Sequence, residues 1–514
     1  MVNYLPKNNF FYIKIFLALL LAAVFVLNVF QLTRSLGLGG DNQQLIILGE
    51  SLRSGQGYSL LNLPGNPPAN LYPPLYPTAI ATALFLTQNT YLPDIIIPLK
   101  TLNLIFFLGA LIIFYFYLKE KIRNKYIIAA IIILTGLSIQ FSPYINEVLT
   151  EIPYLFFSML SVYFVDKYTT DNFNKKYLYL GILFAILCFY TRTIGIALIA
   201  SIVLLLFFYK KYKEAIQSSL LFILFTLPWF AYSSLLGSQP SYFEQLLIKN
   251  PYNIDEGNAH FADFVFRIAD NAVYYAQKIP ELIFLVNLGS PIISLPLLFI
   301  TLIGFLKMTG KKINLLHFYI PLYIFILLTW PWTGGRFLIP ILPFLIYFFI
   351  YGYTKIFSQN FLQPFRKWSI LQIAIFSSSI TLFFLFAINY IYFDIVKIIK
   401  YAPNKNNIII NSELKEVVDF INKEIPENSI IAFRKPYFIY FYTERKSLGY
   451  MFTKNKDAIK KYFQENDVSY IIDDNSFNET KNYLQPVIEE LIKENKIDLV
   501  YRSDQSDFKI YKLK

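Results

Sequence analysis

Between residues 11 and 393 one pattern recurs, an apolar run followed by a polar connection, and most runs are long enough to cross a bilayer. A helix needs roughly 17–25 apolar residues to span a hydrocarbon core of about 30 Å. The runs fall at 11–32, 94–118, 126–143, 152–165, 177–209, 215–236, 286–306, 313–331, 337–354 and 368–393. The stretch 177–209 is too long for one span and breaks at Thr191-Arg192-Thr193, so it reads as a helical hairpin with Arg192 at its tip. The tally is about eleven spans. The apolar stretch 75–89 is too short to cross and is expected to lie in the interface or re-enter.

Lys and Arg collect in alternate connections, 119–125, 166–176, 210–213 and 307–312, whereas 144–151 has none. Basic loops stay on the cytoplasmic side. The N-terminus is therefore expected in the cytoplasm, with the loops 33–93, 144–151 and 237–284 outside. This is the pattern of a multi-pass plasma-membrane protein in contact with bilayer lipids. The start of the chain has Lys7 and Lys14 ahead of an apolar run too long for a signal-peptide core, so it reads as a retained first span.

From about residue 400 charged residues become frequent and apolar runs shorten to four or five residues. Ile408-Ile409-Ile410, Ile430-Ile431-Ala432-Phe433, Tyr470-Ile471-Ile472 and Leu499-Val500-Tyr501 read as strands. Helices are expected over 412–424, 455–465 and 478–494, the last begun by Asn478. The expected fold is a polytopic α-helical membrane protein with a small C-terminal extracytoplasmic α/β domain. The units are 1–395 and 396–514. The C-terminal unit has no Gly-rich phosphate loop.

Composition narrows the chemistry. With 55% hydrophobic and 16% charged residues the chain matches a membrane protein. Two histidines, His260 and His317, leave little for a His-based metal centre or triad. The single Cys188 excludes an intrachain disulfide. The net charge of +12 is spread over membrane connections and accompanies no nucleic-acid motif, so no nucleic-acid partner is expected.

The outer side gathers the residues that can carry chemistry. Asp41 follows Gly39-Gly40 and precedes an amphipathic stretch, so it is either a helix N-cap or a base aimed into a cleft. Glu147 and Glu151 lie in a second outer loop, and Glu151 equally suits a first-turn acid. Arg192 and Arg336 stand at helix tips, either snorkelling or holding phosphate with a guanidinium fork. Tyr72 and Tyr76, in Tyr72-Pro73-Pro74-Leu75-Tyr76-Pro77, are either interfacial anchors or substrate contacts.

Together these stretches resemble the GT-C superfamily of membrane glycosyltransferases, in particular bacterial relatives of the protein O-mannosyltransferases and the lipid A aminoarabinose transferases. The likeness runs over about 1–395. It is carried by Asp41, by Gly49-Glu50-Ser51-Leu52-Arg53-Ser54-Gly55-Gln56-Gly57-Tyr58-Ser59, by the proline stretch, and by Thr150-Glu151-Ile152-Pro153. Tyr190-Thr191-Arg192 and Gly335-Arg336-Phe337-Leu338-Ile339-Pro340 complete it. The resemblance implies Asp41 as catalytic acid or base, Glu151 as a second catalytic acid in preference to Glu147, and Arg336 and Arg192 on the donor phosphate. It implies a polyprenyl-phosphate-linked sugar donor and a protein, lipid or glycan acceptor. It leaves metal dependence open, with Mg or Mn as the divalent candidates. Two departures stand out: Asn42 follows Asp41 where the mannosyltransferases have Glu, and the proline stretch lacks the lysine of the aminoarabinose transferases. The substrate of neither subgroup is carried over. A transporter or flippase of lipid-linked sugars, or a non-catalytic scaffold, would share the span pattern.

Overall fold

The computed structural model describes residues 8–88, 91–284, 291–308, 312–357, 388, 391–393, 395–400, 402–409, 411–503 and 507–514. The fold is mostly helical, with one small sheet near the C-terminus. The N-terminal helices are α1 (Asn8–Gln31), α2 (Asp41–Arg53), α3 (Leu75–Thr87), α4 (Ile96–Lys121), α5 (Lys125–Gly136) and the short α6 (Ser142–Ile145). They are followed by α7 (Glu151–Thr170), α8 (Lys175–Thr191), α9 (Ile196–Phe208), α10 (Tyr212–Leu236), α11 (Tyr242–Leu247) and α12 (Phe261–Phe284). Then come α13 (Pro291–Lys307), α14 (Leu316–Thr329) and α15 (Leu342–Phe357).

Three helical stretches are long and apolar enough to cross a membrane: Leu92–Lys121, Tyr212–Leu236 and Gly335–Ile356. Six further apolar helical stretches are shorter, α3, α5 and α14 among them. These counts are of the described residues. The last expected span, 368–393, lies outside the described residues except for 388 and 391–393. At 13 residues α3 is about 20 Å long, too short to cross. The hairpin expected over 177–209 is present as α8 and α9, separated at Arg192 by an extended residue and a 3-10 turn, Thr193–Gly195.

Two expectations need correction. The apolar run 126–143 is not one helix: α5 ends at Gly136, and a turn over 137–141 leads into α6, which carries Pro143 in its first turn. Gly136 lies against Val24 and Leu111, where even a Cβ would be 3.2 Å from the valine. The loop 237–284 is largely helical. In α12 Asn271, Tyr275, Ile279, Leu282 and Ile283 form one buried face at helical spacing. Of the charges that made this segment read as loop, Asp270 lies off that face, whereas Asp263 and Arg267 continue its row half-buried, with Arg267 donating to the Leu246, Ile248 and Thr329 carbonyls.

The bundle closes through small residues where helices meet. A side chain at Gly109 of α4 would strike Phe156 of α7 at 2.7 Å, and one at Gly304 of α13 would run into the backbone of Phe348 in α15. At the end of the bundle away from α2, Lys121 pairs with buried Asp166 at 2.8 Å, and Asp166 also accepts the Leu315 amide at 3.0 Å. That contact ties α4, α7 and the start of α14 together.

The C-terminal region carries α16 (Ser412–Glu424), α17 (Pro436–Thr443), α18 (Lys456–Glu465) and α19 (Gln485–Lys493). Its strands are β1 (Ile430–Ala432), β2 (Lys446–Leu448), β3 (Tyr470–Asp473), β4 (Ile497–Arg502) and β5 (Lys509–Leu513). The sheet order is β2-β1-β3-β5-β4, parallel through its first three strands and antiparallel at β5 and β4. The helices expected at 412–424 and 455–465 are there. Ile408 and Ile409 form no strand, and Ile410 lies outside the described residues. Asn478 does not cap a helix; the helix already includes it and widens to π geometry over Thr480–Leu484.

This sheet is joined to the outer loops by a shared core. Leu45, Ile46 and Ile80 from α2 and α3 bury in the same cluster as Val417, Ile431, Phe438 and Ile439. The free edge of β2 is covered as well: the Ser447 amide donates to the Asn62 carbonyl at 2.6 Å, and the Asn62 side chain returns a bond to Ser447 at 3.0 Å.

Candidate active site

The turn ahead of α2 is built first. Gly40 takes φ +90°, a conformation that L side chains rarely adopt, and it occupies the cap position of α2. Asp41 is therefore the first helical residue and not the N-cap, and no side chain caps this helix. Its carboxylate sits in the first turn, where the helix dipole favours negative charge, and is free to point away from the amides. The turn is anchored from behind. Glu147 accepts the Gly37 amide at 3.1 and 3.2 Å and the Asn42 carboxamide as well. Buried Lys100 donates to the Thr33 and Ser35 carbonyls at 2.9 and 2.7 Å. Burial raises the Glu147 carboxyl above its ordinary range, against the opposing pull of Lys100.

Around Asp41 the chain assembles four charges from four segments. Arg336, on the 3-10 turn Gly335–Ile341, donates through Nη1 to Asp41 Oδ2 at 2.9 Å. The same guanidinium reaches Glu151 Oε1 through Nη2 and Nε, each at 3.0 Å. Arg192 Nη1 reaches that oxygen at 2.5 Å and Thr150 Oγ1 at 3.1 Å. Arg192 can do so because Gly195 lets the turn fold back on α8; a Cβ there would lie 2.6 Å from the Phe189 amide nitrogen. The two carboxylates and two guanidiniums balance in charge.

Access separates the two acids. The Asp41 side chain is 31% exposed and Arg336 34%, whereas Glu151 is at 0%. Asp41 can meet a ligand directly. Glu151, expected as a second catalytic acid, is enclosed and holds both arginines, which is a positioning place. Glu147, expected at the substrate, instead holds the turn before α2. Tyr76 is corrected too: it is 2% exposed and its hydroxyl is used on Asn103 at 2.9 Å, because it lies on the buried face of α3. Tyr72 does lie beside Asp41. Burial, then the Asp41 charge, holds its phenol well above the usual range, so it stays a neutral donor.

Sequence reasoning overlooked three neighbours. Tyr242, at the start of α11, stands within the field of Arg192, Asp41 and Arg336. Tyr437 of α17 comes within 3.8 Å of where a Gly40 Cβ would be and bonds Gln239 at 3.2 Å. Lys435 Nζ reaches the Gly39 carbonyl at 3.4 Å. The basic pair Arg434-Lys435 ahead of Pro436-Tyr437 was the available signal for the last two.

A divalent ion is a poor fit here. Among the described residues no three His, Cys, Asp or Glu side chains gather where they could hold a metal, and both site carboxylates are already bound by guanidinium.

No family model and no curated protein matches the chain. Solved structures do. ArnT from Cupriavidus metallidurans bound to undecaprenyl phosphate superposes with a TM-score of 0.59 at 10% identity, covering 96% of this chain and 97% of that one. The archaeal oligosaccharyltransferase AglB from Archaeoglobus fulgidus, in complex with an inhibitory peptide and a dolichol-phosphate, gives 0.57 at 11% identity, covering 96% and 74%. The Archaeoglobus fulgidus oligosaccharyltransferase in complex with Zn and sulfate gives 0.58 at 12%, covering 95% and 72%. Over nearly its whole length the chain therefore has the fold of these GT-C membrane proteins, as the resemblance in its sequence implies.

Proposed function

We propose that the protein is a glycosyltransferase that moves a sugar from a polyprenyl-phosphate-linked donor to an acceptor hydroxyl at the outer face of the plasma membrane. The observation that carries this is the Asp41–Arg336–Glu151–Arg192 constellation, one exposed carboxylate beside two guanidiniums locked by a buried one. The lipid phosphates in the ArnT and AglB structures support the donor class. In this reading 1–395 is the transferase unit, crossing the membrane about eleven times from a cytoplasmic N-terminus, and 396–514 lies outside.

Asp41 accepts the acceptor's hydroxyl proton as that oxygen attacks the anomeric carbon, and the bond from that carbon to the phosphate oxygen breaks. Direct displacement inverts the anomeric centre. A guanidinium has five N–H donors, and three of those on Arg336 are engaged by carboxylates, so others remain for the leaving phosphate. Glu151 fixes the direction of both arginines before the donor arrives, as electrostatic catalysis requires. A flippase would place its polar groups near mid-membrane, whereas these charges stand at helix ends beside the outer loops. A scaffold would not consume donor.

Asp41→Asn keeps the shape and removes the base. In purified protein given a lipid-linked sugar, turnover is expected to fall by about 10²–10⁴. Turnover near wild type would sink the assignment.

A further inference from the structure

A second cleft lies on the outer side, between the segment around Tyr252 and the turn that starts at Asn478. It holds about 380 Å³ and is lined by Tyr252, Arg434, Asn478, Glu479, Asn482 and Tyr483. Small-molecule clefts run from roughly 300 to 1,000 Å³. Its walls come from two distant parts of the chain, fastened by the Tyr483 hydroxyl on the Tyr252 carbonyl at 2.8 Å and the Ile254 amide on the Phe452 carbonyl at 3.0 Å.

We propose that this cleft is the acceptor subsite and that the acceptor is a neutral saccharide. The inference rests on the transferase reading above. Asn478 and Asn482 are exposed, four residues apart, and neither bonds a described residue. Each carboxamide offers donors and an acceptor, the pattern that neighbouring sugar hydroxyls match. The turn that presents Asn482 has π geometry over Thr480–Leu484, a form found mostly at functional sites. Arg434 and Glu479 pair at 3.3 Å across the cleft, so it offers no net charge to a ligand. The Tyr252 ring is half exposed and supplies a flat wall for a sugar face.

A peptide has less to hold here. Extended peptides add to an open sheet edge, and no residue lining this cleft lies in a strand. The cleft is also linked to the turn that carries Asp41. Lys435 follows Arg434 in the chain, stands 5.4 Å from the Phe477 ring centre and touches the Gly39 carbonyl, two residues before Asp41.

The test uses full-length protein in nanodiscs and saturation-transfer difference NMR. The probes are neutral di- to tetrasaccharides of hexoses and N-acetylhexosamines, alongside a set of unstructured peptides. Wild type is expected to show transfer to at least one saccharide, weakened fivefold or more in Asn482→Leu and in Tyr252→Ala. Both substituted side chains are exposed, which spares the core. Asp41→Asn is expected to bind the same saccharide, so binding is read apart from turnover. Absence of saccharide binding, equal binding in the cleft variants, or binding of peptides instead overturns the proposal. Loss of donor turnover in Asp41→Asn is scored separately, so the transferase reading stands or falls on its own result.

Discussion

At the residue scale, the two acids of the cluster differ in access. Asp41 is partly exposed and Glu151 is enclosed, although both read alike in the sequence as loop carboxylates. Removing the enclosed charge strands two partly buried cations, and breaking such pairs costs about 3–5 kcal/mol. Glu151→Gln is therefore expected to lower the thermal unfolding midpoint clearly, followed by tryptophan fluorescence in detergent. Adding Arg192→Met to it should recover part of the loss; no recovery would show that Glu151 acts otherwise. Tyr76→Phe is expected to cost only about 1 kcal/mol from the bond to Asn103 and to leave the donor KM unchanged. A raised donor KM would return Tyr76 to the substrate. That Asp41, Glu151, Arg192 and Arg336 each stand at the end of an apolar run could be read from the sequence. That Arg192 and Arg336 converge on one oxygen of Glu151 could not, since it depends on how α8 and the 3-10 turn at Gly335 pack.

At the element scale, glycine positions decide both the site and the bundle. Gly40 alone adopts the left-handed turn that starts α2 one residue before Asp41. Gly40→Ala should cost about 1–2 kcal/mol of strain and move the carboxylate, lowering kcat more than the midpoint. Gly39→Ala meets no atom within 4 Å and serves as the neutral control. Equal behaviour of the two variants would refute the role given to Gly40. Gly304→Leu is expected to destabilise by at least about 1–3 kcal/mol, since α13 and α15 touch backbone to backbone there. A monodisperse variant with the wild-type midpoint would contradict that packing. Long apolar helices were legible because their runs are unbroken. The helix α12 was not, because its buried face is interleaved with charges. The strand β2 escaped because Leu448 is its one apolar residue, and β5 because Lys509 and Lys512 bracket a single apolar pair, Ile510-Tyr511.

At the scale of the whole molecule, the C-terminal sheet packs on α2 and α3. Their apolar side chains share a cluster. The outer location of this region can be tested with one substitution. Cys188 is buried and silent, and the Lys423 side chain is 82% exposed. Lys423→Cys is expected to react with a membrane-impermeant maleimide in spheroplasts. Reaction only in inverted vesicles would reverse the topology. The shared core also bears on the order of events during synthesis. Residues 33–53 emerge early, and Ile95, Leu99 and Val148 supply the first part of the apolar cover of α2 and α3, while Val417, Phe438 and Ile439 supply the rest several hundred residues later. The turn before Asp41 is likewise held first by Lys100 and Glu147, but Arg336 and Lys435 reach it only from late segments, so a nascent or interrupted chain already inserted in the membrane carries Asp41 without its guanidinium partner.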